Sequence, residues 1–283
     1  MSAPFSVRVP ASSANLGPGF DALGMALSLY LTVGIDGVAA PIDGARVVDG
    51  HHPAQIAFVD AGGTGSLWVA SKIPMGRGLG FSGAARVAGV VAAHAQRNGL
   101  DSGVFDRAKR TILHLTTSME GHPDNVAASL YGGVTASASG EVVRLPLGVD
   151  PAIVAWVPAT QTSTEKSRTT IPSQIALADV IYNIGHTALV MGALASGDTT
   201  VMRAAFTDRL HQDVRLAAAP TSKAALDAAL STSAWAAWLS GSGPTVAVMC
   251  DKSQAGSIAS QLPSDGVTHV LEIDTAGALL SAL

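Results

Sequence analysis

Residues 74–84 read PMGRGLGFSGA, and no other stretch restricts the possible folds of this chain as tightly. Gly76, Gly78, Gly80 and Gly83 crowd together, and the run GAARVAGVVAAHAQ follows directly. That run has helical spacing with small residues on most faces, so the helix expected from Ser82 to about Arg97 must pack close against other backbone. Asn98-Gly99 then supplies a stop signal. A glycine loop that opens a helix lets backbone N–H groups approach an anion at the positive end of the helix dipole. The plainer alternative is a glycine turn packed against its neighbours.

Gly78 to Gly83 formally match G-x-G-x-x-G, but the surroundings do not suit a dinucleotide fold. Such a fold turns directly from strand to helix and places an acid about 20 residues on, ending the next strand. Here Pro74-Met75-Gly76-Arg77 intervene, and Asp101 follows a helix stop instead of a strand. A Walker loop is excluded as well, because no G-x-x-x-x-G-K followed by Ser or Thr is present.

The remaining sequence is that of an ordinary folded chain. With 283 residues it can form one large domain or two moderate ones. Charged residues make up 13% and apolar residues 48%, which excludes a disordered chain. A formal charge of −4 gives no reason to expect nucleic acid or an anionic membrane as partner. No apolar run reads as a membrane span. MSAPFSVRVPASSAN does not read as a signal peptide, so the expectation is a cytoplasmic protein. Cys250 is the one cysteine and ends the apolar run VAVMC, which reads as a buried core thiol without a disulfide.

Strands are expected at 6–12, 31–35, 66–73, 141–145, 152–158 and 245–250. Helices are expected at 82–97, 105–114, from near Pro123, and around 174–195, 199–210 and 221–230. This order predicts an α+β chain of split αβ layers, with a boundary near residue 148 that gives units 1–148 and 149–283. His94, His114 and His186 lie in helical runs and read as core or surface residues. His51-His52 has no third ligand nearby in sequence and does not read as a metal site.

Three further segments accompany the glycine loop. PASSANLGPGFDALG (10–24) is a polar, glycine-containing turn between strands. EGHPDN (120–125) gathers two carboxylates, a histidine and an amide. LSGSGPT (239–245) is a second glycine turn, directly before a strand. Each could be turn chemistry alone; four of them in one chain argue against coincidence.

Together with GGV (132–134), STEKSR (163–168) and DRLHQDVR (208–215), these segments resemble the motifs of the GHMP kinases, most closely those of the homoserine kinases. The likeness spans residues 7–250. It implies a two-domain GHMP kinase fold, with a ribosomal-S5-domain-2-like N-terminal domain that binds ATP and a ferredoxin-like C-terminal domain. It implies phosphoryl transfer from ATP to the side-chain hydroxyl of L-homoserine, on the way to threonine. It also implies Mg²⁺ and, commonly, a homodimer.

Carried over residue by residue, the resemblance implies that Gly78, Leu79, Gly80, Phe81, Ser82 and Gly83 wrap the ATP phosphates. Ser82 and Glu120 match the family's magnesium positions, although Ser82 could equally be an ordinary N-cap. Asp124 matches the position that takes the substrate ammonium. Arg168 and Arg215 match those that hold its carboxylate, where bidentate geometry favours Arg over Lys. Asn15, His122 and Thr164 match other pocket positions. Asn125 stands where several relatives carry a catalytic Asp; an amide cannot take the proton, so the implied role is to orient the hydroxyl. Without the motif context, each arginine would read as a surface ion pair.

The chain departs from the family pattern twice. Phe81 replaces the first serine of the usual P-x-x-x-G-L-G-S-S loop, where its ring could stack near the base or obstruct the phosphate path. The stretch 36–66 is short, with only HHPAQIAFVDAGG where the family has a longer helix beside adenine. Three alternatives therefore stay open: a relative acting on another small hydroxy acid or amino alcohol, a non-catalytic amino-acid-binding relative, and a dinucleotide enzyme.

Overall fold

The computed structural model describes residues 4–37, 43–160 and 164–283, with the side chains of all of these except 164–166. In chain order the first half contains β1 (Phe5–Ala14), β2 (Leu23–Ile35), β3 (Arg46–Val47), α1 (Pro53–Asp60) and β4 (Leu67–Ser71). It continues with α2 (Phe81–Asn98), α3 (Ser102–Glu120), α4 (Asp124–Tyr131), β5 (Val134–Ala138) and β6 (Glu141–Leu145). The second half contains β7 (Ala152–Pro158), α5 (Thr164–Thr169), α6 (Leu177–Ser196), α7 (Met202–Ala205), α8 (Gln212–Ala217) and α9 (Pro220–Leu230). Then come β8 (Ala236–Leu239), β9 (Val246–Cys250), α10 (Ala255–Gln261), β10 (Gly266–Leu271) and β11 (Leu279–Ala282).

Two antiparallel sheets organise the chain. The first has seven strands in the order β11-β1-β2-β4-β3, with β5 bridging β2 and β6. The second has four, in the order β10-β7-β9-β8. Two strand pairs linked by helical crossovers in that order make the second sheet ferredoxin-like, as the resemblance implied. The gap between the sheets' own runs of strands falls between β6 and β7, on either side of residue 148. The last strand, β11, nevertheless returns to the first sheet, pairing Phe5 with Ala282 through Arg8 with Leu279.

The close packing expected of the small-residue helix is present. A Cβ on Gly89 would lie 2.2 Å from the Ala54 carbonyl oxygen and 2.9 Å from the Phe58 amide, so α2 meets α1 backbone to backbone. Phe58, beside that contact, is fully buried, a burial worth about 1.5–3 kcal/mol. Gly99 ends α2 with φ 79° and returns its N–H to the Ala95 carbonyl.

Several elements differ from the sequence reading. The helix expected at 105–114 runs from Ser102 to Glu120, because Asp101 caps it by accepting from the Val104 N–H at 2.8 Å. The helix expected at 199–210 is only Met202–Ala205; the Asp208 carboxylate draws the following N–H groups of His211 and Gln212 into a new cap at 2.8 and 2.7 Å. Strands β3, β5, β8, β10 and β11 were not anticipated; β8, AAWL, is short and wholly buried, so it has no alternation to read. Among the described residues one helix, α6, is long and apolar enough to cross a membrane by length and composition alone, with mean hydropathy 1.3. One face of α6 is tied to the fold by polar contacts: Asn183 Nδ2 and Thr187 Oγ1 both donate to the Pro18 carbonyl, at 3.2 and 3.1 Å. Cys250 is buried, and burial pushes its thiol up to about 11.

Candidate active site

The two sheets meet along one polar seam. Trp238 Nε1 donates to Ser13 Oγ at 3.0 Å, and Ser240 Oγ lies 2.8 Å from the same oxygen and 2.6 Å from the Gly78 carbonyl. The three glycine-containing turns of the sequence therefore touch each other. Beside this seam lies a cavity of about 260 Å³ lined by Asn15, Gly78, Gly80, Phe81, Ser82, Glu120, His122, Asp124, Asn125, Arg168 and Arg215, among others. Of the residues singled out from sequence, Leu79 lies in the core instead, and Gly83 packs on α4 beside Asn125 and Val126. Thr164 opens α5, but its side chain lies outside the described residues.

The glycine loop opens α2 directly. Gly80 is the N-cap in the left-handed region, φ 68°, and no side chain caps the first turn. Its unmet N–H groups are the anion-attracting feature of a helix start. Ser82 is thus inside the helix, not the N-cap considered from sequence. Its Oγ donates to Glu120 Oε2 at 3.0 Å, and Arg86 Nη1 donates to Ser82 Oγ at 2.7 Å while ion-paired with the same Glu120 oxygen. The Phe81 ring is only 9% exposed and meets His52 edge-on, with ring centres 5.8 Å apart. It forms part of the cavity wall from within the core.

Across the cavity lies a cluster of opposite charges. Asp124, 2% exposed, accepts from His122 Nδ1 at 2.6 Å and from the Asn125 N–H at 2.7 Å. Burial alone would lower the His122 pKa; the Asp124 hydrogen bond and charge, with Asp21 beyond, override it and raise the pKa. Ligating atoms of Asp21, His122 and Asp124 all lie within 4.8 Å of one another. Asp21 takes both ends of the Arg168 fork, at 2.8 Å each. Arg168 and Arg215 both lie over the Phe20 ring, 5.4 and 5.3 Å from its centre. Arg215 is 7% exposed and donates to His211 Nδ1 at 3.0 Å and to the Gly241 carbonyl at 3.2 Å, while its Nε is buried without a partner among the described residues. Burial first, then the charge of Arg168, lowers the Arg215 pKa. His211 Nε2 donates to the Gly17 carbonyl at 2.9 Å, which leaves Nδ1 to accept from Arg215.

Two amides complete the wall. Asn15 bridges segments, donating to the Gly241 carbonyl at 3.0 Å and accepting from the Asp21 N–H at 3.1 Å. Asn125 Oδ1 accepts from Ser12 Oγ at 2.8 Å, which fixes the amide. Sequence reasoning missed Ser12, Phe20, Asp21 and Arg86. Phe20 and Asp21 sit inside the motif segment 10–24, so their position was visible even though their role was not. Arg86 is four residues after Ser82 on one helix face, a spacing that signals contact.

A compact charged pocket thus lies beside a glycine-opened helix, between a seven-stranded and a ferredoxin-like sheet. The family models described as GHMP kinases N terminal domain and GHMP kinases C terminal match residues 52–133 and 190–268. The chain belongs to the GHMP kinase family. It is 37% identical to a homoserine kinase of Desulfitobacterium hafniense over 96% of its length and 98% of that protein's. It is 38% identical to a homoserine kinase of Streptomyces avermitilis, over 96% and 94%. The crystal structure of homoserine kinase from Cytophaga hutchinsonii shares the fold, with a TM-score of 0.83, 24% identity and coverage of 99% and 98%. A mevalonate kinase structure shares it more distantly, at TM-score 0.66 and 11% identity over 95% and 99%.

Proposed function

We propose that this protein is a cytoplasmic, ATP-dependent kinase that phosphorylates the side-chain hydroxyl of L-homoserine, on the way to threonine. The observation that carries this reading is the pairing of charges in one cavity. Asp21 and Asp124 converge with His122, and beside them Arg168, paired with Asp21, and Arg215 lie over Phe20. A zwitterionic amino acid needs both an anion for its ammonium and a cation for its carboxylate. The partnerless Arg215 Nε is a buried donor that a ligand carboxylate would satisfy. Relatives named homoserine kinase cover nearly the whole chain and support the same substrate.

In this reading the 1–148 unit holds the nucleotide and the 149–283 unit closes the acceptor pocket. The uncapped start of α2 and the loop 78–83 hold the ATP phosphates. Asp124 takes the ammonium, Arg215 and Arg168 take the carboxylate, and Asn15, His122 and Thr164 complete the pocket. Asn125, fixed by Ser12, aligns the acceptor hydroxyl with the terminal phosphate. No side chain at Asn125 takes the hydroxyl proton, so catalysis is by positioning and charge stabilisation. Ser82 and Glu120 offer one hydroxyl and one carboxylate, hard oxygen donors of the kind Mg²⁺ accepts alongside waters. When bound there, Mg²⁺ neutralises charge on the phosphates.

Assay of ADP release with L-homoserine, L-serine, pantoate and mevalonate, with and without Mg²⁺, tests the reading. Homoserine is expected to give the dominant signal. Strong turnover of a carboxylate-only alcohol with none of homoserine would replace the substrate, and binding without turnover would make the protein a non-catalytic relative.

A further inference from the structure

Glu120 is already neutralised within the protein. Its side chain is 11% exposed, and its Oε2 is paired with the Arg86 guanidinium, the one cation ion-paired with it among the described residues. Arg86 Nη1 also donates to Ser82 Oγ at 2.7 Å, and that hydroxyl donates in turn to Glu120 Oε2 at 3.0 Å. The hydroxyl and the carboxylate that the proposed function gives to a divalent cation are thus both covered by one guanidinium. A carboxylate this sheltered requires a counter-charge. A divalent cation on the same oxygen supplies that charge itself and repels Arg86.

We propose that Arg86 is a resident counter-ion that a divalent cation must displace from Ser82 and Glu120, so that the metal and the guanidinium compete for one site. The inference rests on the metal assignment of the proposed function. It has a direct consequence for affinity. Metal binding forfeits a charge-assisted contact that an uncovered carboxylate would not have lost, so the native chain holds divalent metal more weakly than a chain lacking Arg86. The displaced guanidinium remains attached one helical turn beyond Ser82, and its positive charge stays beside the glycine loop. A purely structural tie between α2 and α3 predicts something different: loss of Arg86 would lower stability and leave metal affinity unchanged or weaker.

Mn²⁺ serves as the probe. Free Mn²⁺ is counted by electron paramagnetic resonance against the full chain, alone and with a non-hydrolysable ATP analogue, for wild type, Arg86→Met, Arg86→Lys and Glu120→Gln. Arg86→Met is expected to bind Mn²⁺ about tenfold or more tightly, the scale of one charge-assisted hydrogen bond. Its thermal midpoint should rise further on Mn²⁺ addition than that of wild type. Arg86→Lys keeps the charge but loses the fork, and should fall between the two. Should Arg86→Met not fold, Arg86→Lys decides: about threefold tighter binding supports the competition and unchanged binding overturns it. Equal or weaker Mn²⁺ binding by a folded Arg86→Met, with Glu120→Gln losing the metal, sinks the competition and leaves the metal assignment standing. Unchanged Mn²⁺ binding by Glu120→Gln removes both.

Discussion

Asp21 and Arg168, 147 positions apart in the chain, meet through two hydrogen bonds of 2.8 Å that use both carboxylate oxygens and two guanidinium nitrogens. The pair holds the loop after β1 against α5, and the hydrogen bond keeps Arg168 firmly protonated, its pKa raised. The two pocket arginines are therefore not equivalent. Arg168, its side chain 43% exposed, already has an anion; Arg215 is buried, and its Nε has no partner among the described residues.

Arg215→Ala is accordingly expected to weaken acceptor binding by about 1.5–3 kcal/mol, roughly ten- to a hundredfold. Arg168→Ala should cost less, because its exposed pair is screened by water. Calorimetric titration of homoserine into each variant, with circular dichroism as a folding control, checks the ranking. Equal affinity across all three proteins would remove both arginines from the acceptor pocket.

The phosphate loop separates backbone effects from side-chain effects. A Cβ on Gly80 would fall 2.0 Å from Ser12 Oγ and 3.0 Å from Asn125 Oδ1, at a backbone φ of 68° that a β-branched residue avoids. Gly80→Val should therefore abolish nucleotide-analogue binding and disturb Asn125. Phe81→Ser should change nucleotide affinity by less than about tenfold, or about 1.4 kcal/mol. Because the ring is buried against His52, it should also lower fold stability by a few kcal/mol, on the order of other Phe truncations. Calorimetry with the analogue and a denaturant midpoint measure the two effects separately. A large gain of nucleotide affinity in Phe81→Ser would identify the ring as an obstruction.

His122 makes part of the stability pH-dependent. Its folded pKa lies above the ordinary value, about 6.5, because the Asp124 hydrogen bond and charge outweigh burial. Its contribution is fully present below the unfolded value and is lost as pH rises through the folded one. His211 has the opposite sign: burial lowers its pKa, so it favours the fold less as pH falls. The difference between wild type and His122→Gln isolates the first effect. Urea midpoints of the two proteins should diverge below about pH 6.5 and converge above the folded pKa. A constant difference across that range would show that folding leaves the pKa of this histidine unshifted.

The homodimer implied by the resemblance is proposed to close over α6. Leu177, Ile181 and Ile184 are exposed in its first half, and Ala188, Leu189, Gly192 and Ala195 in its second. An antiparallel pair would set this exposed stripe of one copy against the same stripe of the other, a self-complementary two-fold contact. Ile184→Glu should convert the dimer to monomer in sedimentation velocity. A dimer unaffected by the substitution would place the interface elsewhere.

At Cys250 the expectation is inertness. With the thiol pushed up to about 11 by burial, no thiolate forms near neutrality. Thiol reagents at about pH 7.5 should label the unfolded chain and spare the folded one. Rapid labelling of the folded protein would show that β9 opens.

Short-range chemistry was legible without any structure. The loop 76–83 with its small-residue helix, the helix stop at Asn98-Gly99 and the buried cysteine follow from properties of adjacent residues. So did the clustering of EGHPDN, since its charges lie within six consecutive residues, from the end of α3 to the start of α4. Pairings across the fold were not legible. Nothing local to Asp21 names Arg168, nothing in Arg86 names Glu120, and Ser12 gives no sign that it holds Asn125. The return of β11 to β1 and the capping of α8 by Asp208 were decided in the same way. Hydrophobic period and turn chemistry depend on neighbours along the chain. A charge or hydroxyl takes whichever partner the packed sheets bring within about 3 Å, and in this chain the seam between two sheets makes that choice.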